Sequence, residues 1–440
     1  MNIQLLSFVA YFGYFLIGIV SFIISPTLPL IIEDFRITVG VAGVIFTAYA
    51  AGTFVGGLFG GYISDIAGKK TVINLGCILH IIGFLLTAAT GSWILVLFFV
   101  CITGLGRGVL NTCLNALIAD IHQGRRGSAL NTLHGIYGAG SLIGPILAGL
   151  VLSLNYHWRV VYYGAAVVWI IFLLIIMPIK YPSVSDRFTS ASDNLTTGES
   201  NNAVKSYKGV SNNNHNNNYN NNYNNNHKNN HNNNYVKSRK NTKIGLASVK
   251  LIILNPIFIM LFFVSFIYNG AATGLIGWIN TYLDGINFSV ILGSGMVSVF
   301  YLGLTLGRFA CRFLSEKIGY SKTILSCALG CFVFYPFTIF ASNPLMITAG
   351  VFFSGLFFSG LHPTGLAYAN SMFPSISGTV TGILYMAMSL GSMTIPWLIG
   401  LVAEKESFKA GFSISYTLIV ILVGIAISLL LRERKKMSVT

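Results

Sequence analysis

Apolar residues run along this chain in long blocks rather than in one-faced stripes. Blocks of spanning length follow one another from Tyr11 to Leu431, with one gap. A membrane-crossing helix needs about 20 mostly apolar residues. The blocks predict twelve such helices, at about 6–32, 38–64, 71–90, 93–119, 127–153, 159–179, 251–283, 288–314, 322–341, 344–371, 377–403 and 409–431. They are too long and too apolar for the strands of an outer-membrane barrel. The first block has no small-residue cleavage site after a short apolar core, so no cleavable signal peptide is expected. The pattern predicts an all-α polytopic membrane protein.

The gap, residues 181–247, is nearly free of apolar side chains and carries runs such as Asn212–Asn214 and Asn232–Asn234. Such a segment buries too little surface to offset chain entropy and is expected to be a disordered linker. His215, His227 and His231 lie in it without cysteines or a fixed fold, so no metal site is expected. The gap divides the chain into 1–180 and 248–440, each with six predicted spans.

The two parts echo each other at one offset, 251 residues. Gly56 pairs with Gly307, Ser64 with Ser315 and Gly68 with Gly319. Gly104-Leu105 pairs with Gly355-Leu356. Gly140, Ser141, Pro145 and Gly149 pair with Gly391, Ser392, Pro396 and Gly400. Chance matches between apolar segments would scatter in offset. A duplicated membrane unit is an architecture of secondary transporters, with the substrate site between the halves.

Composition agrees: 54% of residues are hydrophobic and 9% charged, against about 25% charged in soluble domains. The net charge of +15 does not point to nucleic acid, because of where it lies. If the spans alternate, Lys69, Lys70, Arg125, Arg126, Lys317, Lys322 and Arg432–Lys436 fall on one side, with the ten Lys and Arg from Lys180 to Lys250. The positive-inside rule then puts both termini and the central loop in the cytoplasm. The plasma membrane is the expected location, with an organelle membrane as the alternative. All six cysteines lie within predicted spans, without metal spacing, and are expected to be free thiols. No nucleophile–base set, nucleotide loop or metal cluster appears, so neither an enzyme nor a cofactor is expected. The expected partners are a small-molecule substrate and the lipid bilayer, with the protein a monomer.

The loop after the second span reads Gly61-Tyr-Ile-Ser-Asp65-Ile-Ala-Gly68-Lys69-Lys70. Gly61 allows close helix approach and Gly68 a tight turn. Asp65 places an anion where it can meet a helix N-terminus. The second copy, Arg312-Phe-Leu-Ser-Glu316-Lys-Ile-Gly319, keeps an acid at the Asp65 position. Arg312 and Glu316 are four apart, so a pair is expected. The first copy resembles the signature of the major facilitator superfamily, Gly-x-x-x-Asp-x-x-Gly-Arg/Lys-Arg/Lys. That resemblance implies two pseudo-symmetric six-helix bundles and an alternating-access cycle. It also makes these residues gating elements that latch the outward-facing state. Span four (Gly104-Leu-Gly106-Arg107 through Asn115), span five (Leu130-Asn131 through Pro145) and Gly277-Trp278-Ile-Asn280-Thr-Tyr282 in span seven are similar to the fucose–galactose–glucose permease branch and its eukaryotic relatives.

Asn111 and Asn115 share a face of span four; Asn131, His134 and Tyr137 form a stripe on span five. Trp278, Asn280 and Tyr282 lie in the outer half of span seven. His362 falls opposite Asn111 in the repeat. These amides, imidazoles and aromatics are the candidate contacts to a hexose-like solute, with Trp278 and Tyr282 stacking on a sugar face. The expected cavity is lined by spans one, four, five, seven, ten and eleven. In the proton-coupled permeases that the branch includes, span four carries an acid where this chain has Asn111, and span one carries another. An amide cannot titrate, so uniport is expected unless a histidine (His80, His134 or His362) carries the proton. Arg107 lies inside span four without a nearby acid. It either snorkels to the surface from the outer third, finds a partner on another helix, or binds an anionic substrate, which gives an organic-anion carrier as an alternative. A non-transporting nutrient sensor on the same fold is the other alternative.

Overall fold

The computed structural model describes residues 3–122, 126–179, 254–373 and 376–437. The Asn-rich segment 181–247 lies outside the described residues. So do the side chains of Asp65, Asn131, Arg312 and Glu316, although their backbones are helical. Among the described residues, twelve spans are long and apolar enough to cross a membrane, and they fall where the apolar blocks predict them. Span one is two helices, Ile3–Val20 and Ile24–Phe35. Span two is Val44–Ala67, preceded by a turn of helix at Val39–Ala42. Spans three to six are Lys69–Ala89, Trp93–Ile121, Arg126–Ser153 and Trp158–Ile176. Spans seven to nine are Pro256–Asp284, Val290–Ile318 and Tyr320–Phe340. Span ten is again two helices, Pro344–Phe358 and Leu361–Met372. Spans eleven and twelve are Ser377–Lys405 and Phe408–Met437.

The two interruptions have a common cause. Pro26 removes an N–H and crowds the carbonyl four residues back, that of Phe22, and span one breaks at residues 21–23. Pro363 acts in the same way on Ser359, and span ten breaks at residues 359–360. At the other end of the fold, the basic run from Arg432 is helical to Met437 rather than a tail after residue 431.

Within each half the same helices meet. Span two packs on four and one on five; eight packs on ten and seven on eleven. Across the halves, five meets eight, two meets eleven and one meets seven. The packing reproduces the 251-residue offset atom by atom. A Cβ on Gly56 would strike the Leu105 carbonyl, and one on Gly307 the Leu356 carbonyl. Gly52 and Gly303 stand in this way against Cys101 and Phe352, Gly104 and Gly355 against Tyr49 and Phe300, and Gly140 and Gly391 against Phe15 and Phe266. The turns repeat as well, with Gly68 at φ 83° and Gly319 at φ 85°. That left-handed conformation favours glycine.

Glycine at these contacts is a steric requirement, which sets a stability test. Gly56→Leu and Gly307→Leu should each destabilise the protein by about 1–3 kcal/mol, read as a lower melting temperature in detergent. Gly164→Leu, where an added Cβ meets nothing within 4 Å, should leave the melting temperature nearly unchanged. Equal losses at all three positions would contradict this packing.

Candidate functional site

Two seams join the halves, and both are closed only in the half of the molecule far from the chain termini. In the seam between spans two and eleven, the Gly40 amide donates to Glu404 Oε2 at 2.8 Å and the Thr47 hydroxyl to the Met393 carbonyl at 2.7 Å. In the seam between five and eight, the Ser298 hydroxyl donates to the Leu142 carbonyl at 2.6 Å. The Thr47 and Ser298 bonds are repeat mates, 251 residues apart at both donor and acceptor. A third contact lies between the repeats: the Ser25 hydroxyl donates to the carbonyl of its own repeat mate, Ile276, at 2.5 Å. Toward the termini the seams part. His134 and Gly135 on span five are exposed, as are Tyr385 and Met386 on span eleven. A Cβ on Gly135 or Gly382 would meet nothing within 4 Å. A central cavity therefore opens toward the end where the termini lie.

On the N-terminal side the cavity wall is a connected polar cluster. Tyr14 of span one donates its hydroxyl to Asn111 Oδ1 and accepts from Asn115 Nδ2. Asn115 also donates to the Asn111 carbonyl at 2.7 Å. The Tyr14 ring meets His134 edge-on at 5.6 Å and Tyr137 at 6.1 Å. Asn111 and His134 are exposed, while Tyr14 is buried. Arg107 closes the cluster at its deep end. Its Nη2 donates to the Tyr137 hydroxyl at 3.0 Å and its Nη1 to the Tyr49 hydroxyl at 3.4 Å, and it lies over the Tyr49 ring. Snorkelling is thus overturned: Arg107 points inward and, with Ser21, Tyr49, Thr273 and Ser392, lines a pocket against the closed seam. No carboxylate pairs with it among the described residues.

The C-terminal wall is built on the same plan with different chemistry. Ser265 and His362 occupy the positions of Tyr14 and Asn111, and Ser265 Oγ lies 3.2 Å from His362 Nδ1. The imidazole stacks on Tyr268 at 6.0 Å and meets Tyr385 edge-on at 5.4 Å. Among the described residues, its Nε2 is buried without a hydrogen-bond partner, as is Nε of Arg308 on span eight. Arg308 lies within electrostatic reach of His134, His362 and Tyr385. Tyr301 lies within reach of both Arg308 and Arg107.

The structure brings together Arg107, Asn111, Asn115, His134 and Tyr137, and sets His362 on the opposite wall. It does not bring the outer part of span seven to the cavity. Trp278 is 0% exposed, donates its indole N–H to the Pro396 carbonyl at 2.7 Å and packs on Phe46, Gly43 and Gly400 inside the closed seam. Asn280 donates to Ser25 Oγ at 2.8 Å and accepts from Ser294. Tyr282 points away from the cavity, donates to the Ile339 carbonyl at 2.9 Å and sits among Phe408 and Phe412. None of the three is placed to stack on a solute in this conformation. His80 is buried against Trp169 on the outer flank of the N-terminal half.

In the signature loop, Lys69 is buried and pairs with Asp120, donating also to the Ala116 carbonyl at 3.0 Å. It ties the loop to span four. Lys70 is half-buried, and Gly61 has only Thr112 beside it. Sequence reasoning missed Tyr14, Tyr49, Tyr268, Tyr385 and Asp120. The repeat offset would have found the Ser265–His362 pair once Tyr14 was known. Among the described residues, no group of three or more His, Cys, Asp and Glu side chains could hold a metal ion.

The sequence matches the Major Facilitator Superfamily over residues 10–335 and again over 293–440. The glucose/mannose transporter GlcP of Bacillus subtilis (strain 168) is 22% identical over 429 residues, which cover 95% of this chain and 94% of the relative. The D-xylose-proton symporter structure superposes with a TM-score of 0.72 at 15% identity, covering 98% of this chain and 97% of that one. The nucleoside transporter NupG does so with a TM-score of 0.69 at 14% identity, covering 98% of each chain. At these identities the structures establish a shared fold. With the sequence match extending over nearly the whole chain, this integral, multi-pass membrane protein belongs to the Major Facilitator Superfamily of transporters.

Proposed function

We propose that the chain carries a small hydroxylated solute of hexose type across the membrane by alternating access, as a uniporter. The observation that carries this reading is the Tyr14–Asn111–Asn115 cluster with His134, exposed to a cavity that opens at one end while both seams are closed at the other. Amide, imidazole and phenol groups offer a polyhydroxylated ligand both donors and acceptors. The glucose/mannose transporter among its relatives supports the hexose class. Uniport is supported by the placement of acids: every described Asp and Glu sits at or near a helix end. The ordinary mid-membrane proton carrier is therefore missing from the described spans. The positive-inside rule puts the open end in the cytoplasm. In this reading the protein is a monomer of two six-helix bundles, 1–180 and 248–440, with 181–247 as a linker. Motion of one bundle against the other opens the far seams and closes the cytoplasmic side.

Uptake into proteoliposomes of labelled hexoses and their acid derivatives, with and without a pH gradient, tests the reading. At least one solute should equilibrate, to the same level under both conditions. Accumulation driven by the gradient would contradict uniport and shift attention to His134 and His362. Absence of uptake across the panel would contradict the carrier reading.

Tyr14→Phe removes one hydroxyl that bridges Asn111 and Asn115 without changing shape. A neutral hydrogen bond contributes about 1 kcal/mol net, so half-saturation for the transported solute should rise roughly fivefold. An unchanged half-saturation concentration would place the solute away from this cluster.

A further inference from the structure

Among the described residues, the cavity holds two arginines and no acid. Mid-membrane charge is costly, so helix packing alone does not explain two of them. Duplication does not explain them either. The repeat mate of Arg107 is Phe358 and that of Arg308 is Gly57. Each cation thus stands in one copy only, and the two face the same cavity from opposite halves. Arg107 has tyrosine hydroxyls as partners. Among the described residues, Arg308 keeps a buried Nε without one, and His362, 7% exposed and within electrostatic reach of Arg308, keeps a buried Nε2 without one. Closing the cytoplasmic side would dry the cavity and raise the cost of both charges.

We propose that the transported solute bears an anionic group, seated between Arg308 and His362 on the C-terminal wall and facing Arg107. The solute is then a hydroxylated skeleton with a carboxylate or a phosphate: a sugar acid or a sugar phosphate. The guanidinium fork binds either oxyanion with paired N–H donors. The Tyr14–Asn111–Asn115 cluster takes the hydroxyls. The anion supplies the missing countercharge, so the loaded cavity closes at lower cost than the empty one. This rests on the reading of the central cavity as the transport site.

The test uses the full chain in proteoliposomes with labelled D-glucuronate, D-glucose 6-phosphate and D-glucose, alongside Arg308→Gln and Arg308→Lys. One of the two anions should be taken up, and which one separates carboxylate from phosphate. Arg308→Gln should lower that uptake at least about tenfold, with Arg308→Lys retaining more than Gln. The same anion should raise the melting temperature of the wild-type protein in detergent, a readout that stands if Arg308→Gln fails to fold. Uptake of D-glucose at equal rates by wild type and Arg308→Gln, with neither anion carried or stabilising, would overturn the anionic solute and leave the carrier reading intact. Stabilisation by an anion without uptake of any probe would uphold the anion site and sink the carrier reading. Neither uptake nor stabilisation would sink both.

Discussion

Inside a bilayer a leucine gains nothing by leaving lipid for protein, so helices need another reason to stay together. Close backbone approach at small residues supplies it, through dispersion contacts over a large matched surface. In this protein that constraint is met four times by the same geometry. Gly52, Gly56 and Gly104 seat span two on span four, and Gly303, Gly307 and Gly355 seat span eight on span ten. Gly140 and Gly391 do the same for one on five and seven on eleven. These pairs fix which face of each helix is turned inward. The cavity exists because the faces left over, bearing Tyr14, Arg107, Asn111 and His362, are turned toward one another.

The duplicated scaffold and the chemistry it carries behave differently. Seam contacts keep the repeat at both ends of the bond, as Thr47–Met393 and Ser298–Leu142 show. Site residues keep the position but change the group. Tyr14 with Asn111 becomes Ser265 with His362, and neither arginine has a counterpart. Symmetric seams suit a rocking motion, in which each contact that breaks in one seam has an equal in the other. An asymmetric site suits a solute that is itself asymmetric.

Much of the fold was legible because length, apolarity and glycine register are one-dimensional properties. The twelve spans and the turns at Gly68 and Gly319 can be read along the chain. The proline breaks at residues 21–23 and 359–360 follow from Pro26 and Pro363 but did not stand out among the apolar residues. What could not be read was azimuth. These helices are apolar on nearly all sides, so no amphipathic stripe says which way a polar group points. Trp278 and Tyr282 share a segment with resemblance to sugar permeases, yet one lies in the closed seam and the other faces spans nine and twelve. Tyr14 sits in an aromatic run, Phe12-Gly13-Tyr14-Phe15, where nothing in the pattern separates it from a core residue. Arg308 was visible as a charge, but its place in the cavity depends on how span eight rotates against span five.

Alternating access requires that the far seams open during each cycle. Gly40 and Glu404 meet there, across spans two and eleven, and a Cβ on Gly40 would point at the Glu404 carboxylate. The most direct measurement joins them. Gly40→Cys and Glu404→Cys would be combined in a background with the six native cysteines replaced, and uptake of the carried solute followed before oxidation, after it, and after reduction. The account predicts ready cross-linking, loss of uptake in the cross-linked protein and its return on reduction. Undiminished uptake through a protein locked at this seam would contradict it.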